Sequence, residues 1–288
     1  MEKCYRFAGI ELAVRIPEER MYRDELRLEP FRTDRVRDPH IYQVSAVKTL
    51  PAPEGAELAI QPGVRCYASE GGYTRYQGAV QEDHSGAHIL TRHRGKYHEI
   101  LVREDMLSEK ISARLVLNGL DVEHLVASEG GAILHASCIE YEGRAIVFTA
   151  PSETGKSTQA ELWKSRRGAE IINGDRAVLI REQGVICAAG LPFSGSSRYC
   201  ANRTLPLMAV VYLKQAPETT IRKLRGAEAF RRLWEGLSVH TWHRTDMEKT
   251  ADLAEKLLGQ VPVYELACTP DETAVEALEA QLRKQVSL

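Results

Sequence analysis

The sequence feature that most constrains the fold of this chain is the octapeptide Ala-Pro-Ser-Glu-Thr-Gly-Lys-Ser at positions 150–157. The apolar run 144–149 before it predicts a buried strand, and residues 157–167 after it predict a helix that ends at Gly168. A glycine-containing turn between a strand and a helix directs backbone N–H groups and the positive end of the helix dipole at one point. The order of elements therefore predicts an α/β domain with a phosphate-binding loop (P-loop).

The residue types in this loop suit a nucleoside triphosphate with a metal ion. Lys156 supplies positive charge for the β- and γ-phosphates, and we expect its side chain to be exposed. Ser157 supplies a neutral oxygen ligand for Mg²⁺, with the hydroxyl of Thr158 beside it. The expected ligands are therefore ATP and Mg²⁺. The predicted nucleotide-binding residues are Ser152, Glu153, Thr154, Gly155, Lys156, Ser157 and Thr158.

Two residues depart from the pattern G-x-x-x-x-G-K-[ST]. Ala150 occupies the position of the first glycine, which is acceptable only if the backbone there keeps a negative φ. Glu153 places a carboxylate inside a loop that should attract anions, so its side chain must point outward or toward a metal ion. The strand before the loop and the helix after it still favour nucleotide binding.

A second acidic position follows the strand predicted at 169–173. In a parallel sheet, the carboxyl end of that strand lies beside the phosphate loop, so Asp175 is the candidate general base or Mg²⁺ ligand. The alternative is an aspartate that only caps the bend at Gly174. The predicted metal ligands are Ser157 and Asp175.

His135 begins the strand that is predicted to pair with the one feeding the loop. From there it could reach the same cavity and orient Asp175, although a histidine satisfied within the core is the alternative. The predicted catalytic residues are Asp175, His135 and Lys156. The loop 191–198 ends in a cation, and either closure over substrate phosphate or a simple surface loop fits it.

The chain before the loop has a different pattern. Residues 1–105 alternate short apolar runs, including 5–15, with turn clusters, as in a β-meander. Residues 106–128 change to a helical period through Ile111, Leu115, Leu120 and Leu125. We therefore predict a β-rich N-terminal domain at 1–105 and a nucleotide-binding domain at 106–288. In the second domain the predictions are a hairpin of 177–181 with 185–189, a strand at 208–213 that completes the central sheet, and helices at 227–237, 247–258 and 271–285.

Composition and charge argue against several classes of protein. With a net charge of −2, the protein has no overall positive potential that would attract nucleic acid non-specifically. The first residues are charged, which argues against a signal peptide. No apolar run approaches the length of about 18 residues that a membrane span needs, which argues against a membrane protein. The six cysteines include no CxxC pair, which is typical of reduced core thiols. We expect a cytoplasmic protein, and the sequence leaves its oligomeric state open.

Three separated blocks resemble the active-site blocks of the HPr serine kinase/phosphorylase family: His135-Ala136-Ser137, the loop 155–158, and Asn173-Gly174-Asp175-Arg176. The chain is more similar to the HPr-kinase-like proteins often encoded beside peptide-modifying enzymes, including kinases of lasso-peptide precursors. The resemblance covers about 130–270. It implies the P-loop fold of the HPr kinase and phosphoenolpyruvate carboxykinase type, with transfer of a phosphoryl group from ATP to a serine of a peptide or small protein.

One position departs from that family. The bifunctional kinases carry two consecutive aspartates before the arginine, whereas here the first is Gly174. In the reverse reaction of that family a carboxylate activates phosphate, so Gly174 leaves the reversibility of the reaction open. HPr itself is not expected as the substrate. Two other functions stay open at this point: a nucleotide-binding regulatory protein without transfer, and a kinase of small-molecule hydroxyl groups.

Overall fold

The computed structural model describes residues 1–17, 27–78, 86–107, 117–195 and 197–286. The chain forms two compact units, Met1–Leu125 and Val126–Leu288. Ile111 and Leu115 of the predicted helical period lie outside the described residues. The division between the units falls within a short helix, α1 (Val122–Ser128), C-terminal to the boundary predicted from the sequence.

The described residues of the first unit form a sheet of eight strands in the order β1-β2-β3-β8-β7-β6-β5-β4. The strands are β1 (Glu2–Phe7), β2 (Ile10–Arg15), β3 (His40–Val47), β4 (Glu57–Gln61), β5 (Val64–Ser69), β6 (Gly72–Gly78), β7 (Ala87–Arg94) and β8 (Tyr97–Arg103). Strands β4 to β8 form the predicted meander. The meander prediction is wrong for the first strands, because β3 pairs in parallel with both β2 and β8. Alternation of apolar residues marks a strand but does not fix the direction of its partner.

The run 5–15 is a hairpin and not one strand. Ala8 and Gly9 both have positive φ, 48° and 75°, and they turn the chain between β1 and β2. Backbone in this left-handed region is the usual geometry of a two-residue hairpin turn.

The second unit holds the remaining strands and helices. Its strands are β9 (Ala132–Tyr141), β10 (Arg144–Thr149), β11 (Glu170–Asn173), β12 (Arg176–Glu182), β13 (Val185–Ala189), β14 (Thr204–Gln215), β15 (Thr220–Leu224), β16 (Leu237–Ser238) and β17 (Val263–Cys268). Its helices after α1 are α2 (Lys156–Arg167), α3 (Gly226–Gly236), α4 (Arg244–Gln260) and α5 (Glu272–Val286). Among the described helices, none is long and apolar enough to cross a bilayer.

The sheet of this unit extends further than the sequence predicted. Strand β14 pairs in parallel with β10, but it does not complete the sheet, because β17 pairs in parallel with β14 and β15 follows at the edge. The predicted hairpin is present as β12 and β13. Strand β17 was not predicted from the sequence. Val263–Cys268 includes the polar Glu265 and is too short to show a clear alternation of apolar residues.

Strand β9 determines at which edge of the sheet the loops after β10 and β11 begin. Ile139 of β9 pairs with Ile146 of β10 on one side and with Ile171 of β11 on the other, and both pairings are antiparallel. Strands β10 and β11 therefore run in the same direction, and their carboxyl ends reach the same edge of the sheet. The loop after Thr149 and the turn after Asn173 start at this edge.

Helices cover both faces of the sheet. Along β10, Ala145 and Val147 belong to one apolar cluster, whereas Ile146 and Phe148 belong to another, as expected for successive residues of a strand. The first cluster includes buried residues of α3 and α4, and the second includes buried residues of α2 and α5. The sheet is thus the middle layer of an α/β sandwich, and α2 is anchored on it by Trp163.

Replacement of Trp163 by alanine should destabilise this unit strongly. The indole is fully buried, and its ring centroid lies 5.0 Å from that of Tyr141 at an interplanar angle of 74°. Loss of the side chain leaves a large cavity, so the free energy of unfolding should fall by about 3–5 kcal/mol. Denaturant titration measures this, with the exposed Ser165→Ala of the same helix as a control that should change stability by less than about 0.5 kcal/mol. An unchanged midpoint for Trp163→Ala would contradict the packing.

Candidate nucleotide-binding site

The loop between β10 and α2 has the predicted strand, turn and helix in order. Gly155 is the residue before the first turn of α2 and has φ of 109°, in the left-handed region that favours glycine. No atom lies within 4 Å of the position that a Cβ would take there, so the backbone conformation, and not space, requires glycine. The N-terminus of α2 therefore opens directly onto the loop, which is the arrangement that binds anions.

The fold accommodates both departures from the loop pattern. Ala150 is buried in the cluster that contains Phe148, and it is not among the residues with positive φ, as the sequence required. Glu153 has φ of 64°, and its side chain is exposed. The carbonyl of Glu153 accepts a hydrogen bond of 3.4 Å from Gln215 Nε2. The carboxylate therefore lies on the exposed side of the loop.

Lys156 is buried and not exposed as the sequence suggested, with 8% of its surface accessible. Its Nζ donates to the carbonyls of Ala150 at 3.0 Å and Pro151 at 3.2 Å. Burial lowers the pKa of Lys156, and the negative charge of Asp175 opposes that effect. The prediction of an exposed Lys156 side chain is wrong because the loop curls around the ammonium group. The charge of Lys156 therefore lies inside the loop.

The other predicted loop residues differ in their surroundings. Ser152 and Thr158 are exposed, and the hydroxyl of Thr154 donates to the carbonyl of Pro151 at 2.9 Å. The hydroxyl of Ser157 donates to the carbonyl of Gly174 at 3.4 Å. Ser157 is therefore the loop residue that reaches the turn after β11.

A buried asparagine shapes the turn that carries Asp175. Asn173 is fully buried, and its Oδ1 accepts hydrogen bonds of 3.0 Å from the backbone N–H groups of Asp175 and Arg176. Its Nδ2 donates to the carbonyls of Leu191 and Phe193 at 3.2 and 3.1 Å. This role of Asn173 was not predicted from the sequence, although asparagine before Gly-Asp is a common turn signal. The residue that caps the bend is therefore Asn173, and Asp175 keeps its carboxylate for other partners.

The carboxylate of Asp175 lies between two basic side chains. His135 Nδ1 is 3.6 Å from Asp175 Oδ1, and Arg176 Nε is 3.5 Å from Asp175 Oδ2. Strand register places them together, because His135 pairs with Arg176 across β9 and β12. The His135 side chain is 37% exposed and the Asp175 side chain 26%. His135 is thus not a histidine enclosed in the core.

Burial lowers the pKa of His135 below its ordinary value of 6.5, and the positive charges of Lys156 and Arg176 lower it further. The negative charge of Asp175 and a backbone hydrogen bond oppose this. His135 is therefore mainly neutral at pH 7. A neutral imidazole can accept a proton or a hydrogen bond, which suits a group that works beside a carboxylate.

Ser157 and Asp175 line one cleft of about 270 Å³. The lining is completed by Ala160 and Glu161 of α2, by Ile171 and Gly174, and by residues 197–199. The structure thus brings together Ser157, Asp175 and, through Asp175, His135. Of the predicted nucleotide-binding residues, Ser157 lines this cleft, whereas the others do not: Ser152, Glu153, Thr154, Gly155, Lys156 and Thr158.

Comparisons with known proteins assign this chain to one protein family. A search of curated proteins gives no match. Among solved structures, the chain is similar to the Hpr(Ser) kinase/phosphatase from Coxiella burnetii at 10% identity and a TM-score of 0.32, over 53% of this chain and 95% of that one. A similarity this remote does not establish a shared activity. The profile of the family described as SynChlorMet cassette protein ScmC matches residues 105–279. Because this match spans more than half of the chain, the protein belongs to the ScmC family.

Proposed function

We propose that this protein is an ATP- and Mg²⁺-dependent kinase that transfers the γ-phosphoryl group to a hydroxyl group, with a serine of a peptide or small protein as the acceptor. The observation that carries the proposal is the shared cleft of Ser157 and Asp175 at the start of α2, beside a loop built around Lys156. The family description names no reaction, so this geometry is the support for the proposal.

The loop and the cleft offer what a metal-bound triphosphate needs. The backbone N–H groups at the start of α2 and the ammonium of Lys156 would hold the phosphates. The hydroxyl of Ser157 and the carboxylate of Asp175 are hard oxygen donors, which Mg²⁺ prefers, so these two residues would hold the ion. Bound there, Mg²⁺ would neutralise phosphate charge during transfer.

Asp175 is the candidate acceptor for the proton of the attacking hydroxyl. Its carboxylate lines the cleft, and Asn173 fixes the backbone from which it projects. His135, at 3.6 Å, would orient the carboxylate and remain neutral at pH 7. Kinases depend on positioning and charge neutralisation more than on covalent chemistry, so a fixed carboxylate beside a metal ligand is sufficient for this role.

One observation favours a nucleotide-binding regulatory protein without transfer. Lys156 donates to two carbonyls of its own loop, so part of its charge is already satisfied there. A kinase of small molecules is the third possibility, and the small cleft would suit it as well as a serine side chain. ATP consumption with and without peptide and small-molecule hydroxyl acceptors distinguishes the three.

Lys156→Met should weaken Mg·ATP binding about 10- to 100-fold, because it removes a charge-assisted contact to phosphate. Calorimetric titration measures the affinity, with circular dichroism as the check that the loop change leaves the fold intact. Lys256→Met, on the exposed side of α4, is the matched control and should bind normally. Unchanged Mg·ATP affinity in a folded Lys156→Met protein would contradict the assignment of the loop.

Asp175→Asn should lower phosphoryl transfer by about 10²–10⁴-fold, because the amide keeps the size of the side chain but cannot accept the hydroxyl proton. Mg·ATP affinity should change little if Asp175 is mainly the base, and should fall if it is mainly a metal ligand. Asp252→Asn, an exposed acid of α4, is the matched control. Near-normal turnover by Asp175→Asn would show that another carboxylate performs this step.

The pH dependence of transfer should report His135. Because its pKa lies below 6.5, the rate should stay level from pH 8 to about 6.5 and fall only at lower pH, where the imidazolium would bind the carboxylate of Asp175. His135→Gln keeps a polar side chain that does not titrate, so the part of the decline due to the imidazole should disappear. An identical pH–rate profile for the variant would exclude His135 from this role.

A further inference from the structure

Strand β9 carries a buried serine on the face of the sheet that packs against α2. Ile139 and Tyr141, further along the strand, belong to the apolar cluster that contains residues of α2. Alternation along a strand places Ser137 on the same face, and its side chain is fully buried. Burial of a hydroxyl group is unfavourable unless the group forms a hydrogen bond. A specific hydrogen bond therefore has to compensate for the burial of Ser137.

The partner of Ser137 is the turn that carries Asp175. Ser137 Oγ donates to the carbonyl of Gly174 at 3.0 Å. The same turn is held to β9 a second time, because the backbone N–H of Ala136 donates to the carbonyl of Asp175 at 3.0 Å. Consecutive carbonyls of the turn are thus bound by consecutive residues of β9, and Ser137 fixes the direction of the Gly174 carbonyl.

The Gly174 carbonyl also accepts a second hydroxyl group. Ser157 Oγ donates to it at 3.4 Å, and both Ser157 and Gly174 line the cleft. A carbonyl oxygen has two lone pairs, so it can accept from Ser137 and Ser157 together. The bond from Ser157 is long and hence weak by itself. Its acceptor is held in place by the shorter bond from the buried Ser137.

The orientation of the Ser157 hydroxyl decides what this group can bind. A serine hydroxyl has one proton and two lone pairs. When the proton points to the Gly174 carbonyl, the lone pairs point elsewhere and are available to a cation. A proton turned into the cleft would instead face that cation and remove the oxygen as a ligand. The Gly174 carbonyl therefore keeps Ser157 in the state that suits a hard cation such as Mg²⁺.

We infer that Ser137 is a positioning residue for the metal site. By fixing the Gly174 carbonyl, it keeps the Ser157 hydroxyl in the orientation whose lone pairs are available to Mg²⁺. This inference rests on the proposed ATP- and Mg²⁺-dependent function, and it adds a residue that acts through Ser157 alone. The contribution of Ser137 to metal binding therefore disappears when Ser157 has no hydroxyl group.

Nucleotide binding with and without metal tests the inference without turnover. The non-hydrolysable ATP analogue AMP-PNP is titrated calorimetrically into the full-length protein in Mg²⁺ and in EDTA, and the ratio of the two affinities is the metal gain. Ser137→Ala should lower the metal gain about 3- to 10-fold, as expected for the loss of one hydrogen bond, and should change the affinity in EDTA by less than about twofold. A residue that only stabilises the fold would not move the metal gain.

Two further variants complete the cycle. Ser137→Cys keeps the size of the side chain and a weak donor, so it should give a metal gain between those of wild type and Ser137→Ala, and it tests the inference even where alanine destabilises the sheet. Ser157→Ala should lower the metal gain more than Ser137→Ala does. When Ser137→Ala is added to Ser157→Ala, the metal gain should change by less than about twofold.

Thr91→Val is the matched control. Thr91 is also fully buried on a strand, and its hydroxyl donates to a backbone carbonyl, that of Gly119, at the same distance of 3.0 Å. It belongs to the first sheet and contacts neither the phosphate loop nor the turn of Asp175 through this bond. Its replacement should lower stability in denaturant titration, as Ser137→Ala does, and should leave the metal gain at the wild-type value.

The inference and the proposed function fail in different ways. An unchanged metal gain in folded Ser137→Ala and Ser137→Cys, or a further loss on adding Ser137→Ala to Ser157→Ala, would overturn the positioning role and leave the kinase proposal standing. An affinity that falls equally in Mg²⁺ and in EDTA would show a structural role only. Absence of AMP-PNP binding by the wild-type protein, or binding without any metal gain, would overturn the kinase proposal and the inference together.

Discussion

The buried side chain of Asn173 is the interaction on which the candidate site depends. One amide oxygen accepts the N–H groups of Asp175 and Arg176, and the amide nitrogen donates to the carbonyls of Leu191 and Phe193. Because the Asn173 side chain is fully buried, its replacement by an apolar residue would remove the hydrogen-bond partner of these four backbone groups. A single side chain therefore sets both the position of the acid and the start of the segment that forms the other wall of the cleft.

The sheet supplies the second constraint. Strands β10 and β11 lie on opposite sides of β9 and both run antiparallel to it, so the loop after Thr149 and the turn that carries Asp175 leave the same edge. β9 also continues past β10 to pair with β12, which brings His135 opposite Arg176. Three residues distant in sequence, His135, Ser157 and Asp175, thus come together because one long strand has partners on both edges.

The sequence predicted those parts of the site that depend on local chemistry. The strand, loop and helix around Gly155, and the placement of Asp175 at a strand end near the loop, follow from apolar runs and turn residues. The burial of Lys156 did not follow, because it depends on how the carbonyls of Ala150 and Pro151 curl around the ammonium. The parallel pairing of β3 and the role of Asn173 were missed for the same reason: both depend on partners far away in the chain.

Gly174, the residue before Asp175, is closely packed against Ser197. The position that a Cβ on Gly174 would take lies 2.1 Å from Ser197 Oγ and 2.7 Å from Ser197 Cβ, so no larger residue fits there unless Ser197 moves. The family that the sequence resembles has two consecutive aspartates there, and this packing accepts only one. The neighbours of the Asp175 carboxylate are instead the basic groups of His135 and Arg176. The turn therefore carries one carboxylate, which lines the cleft and lies between these two basic groups.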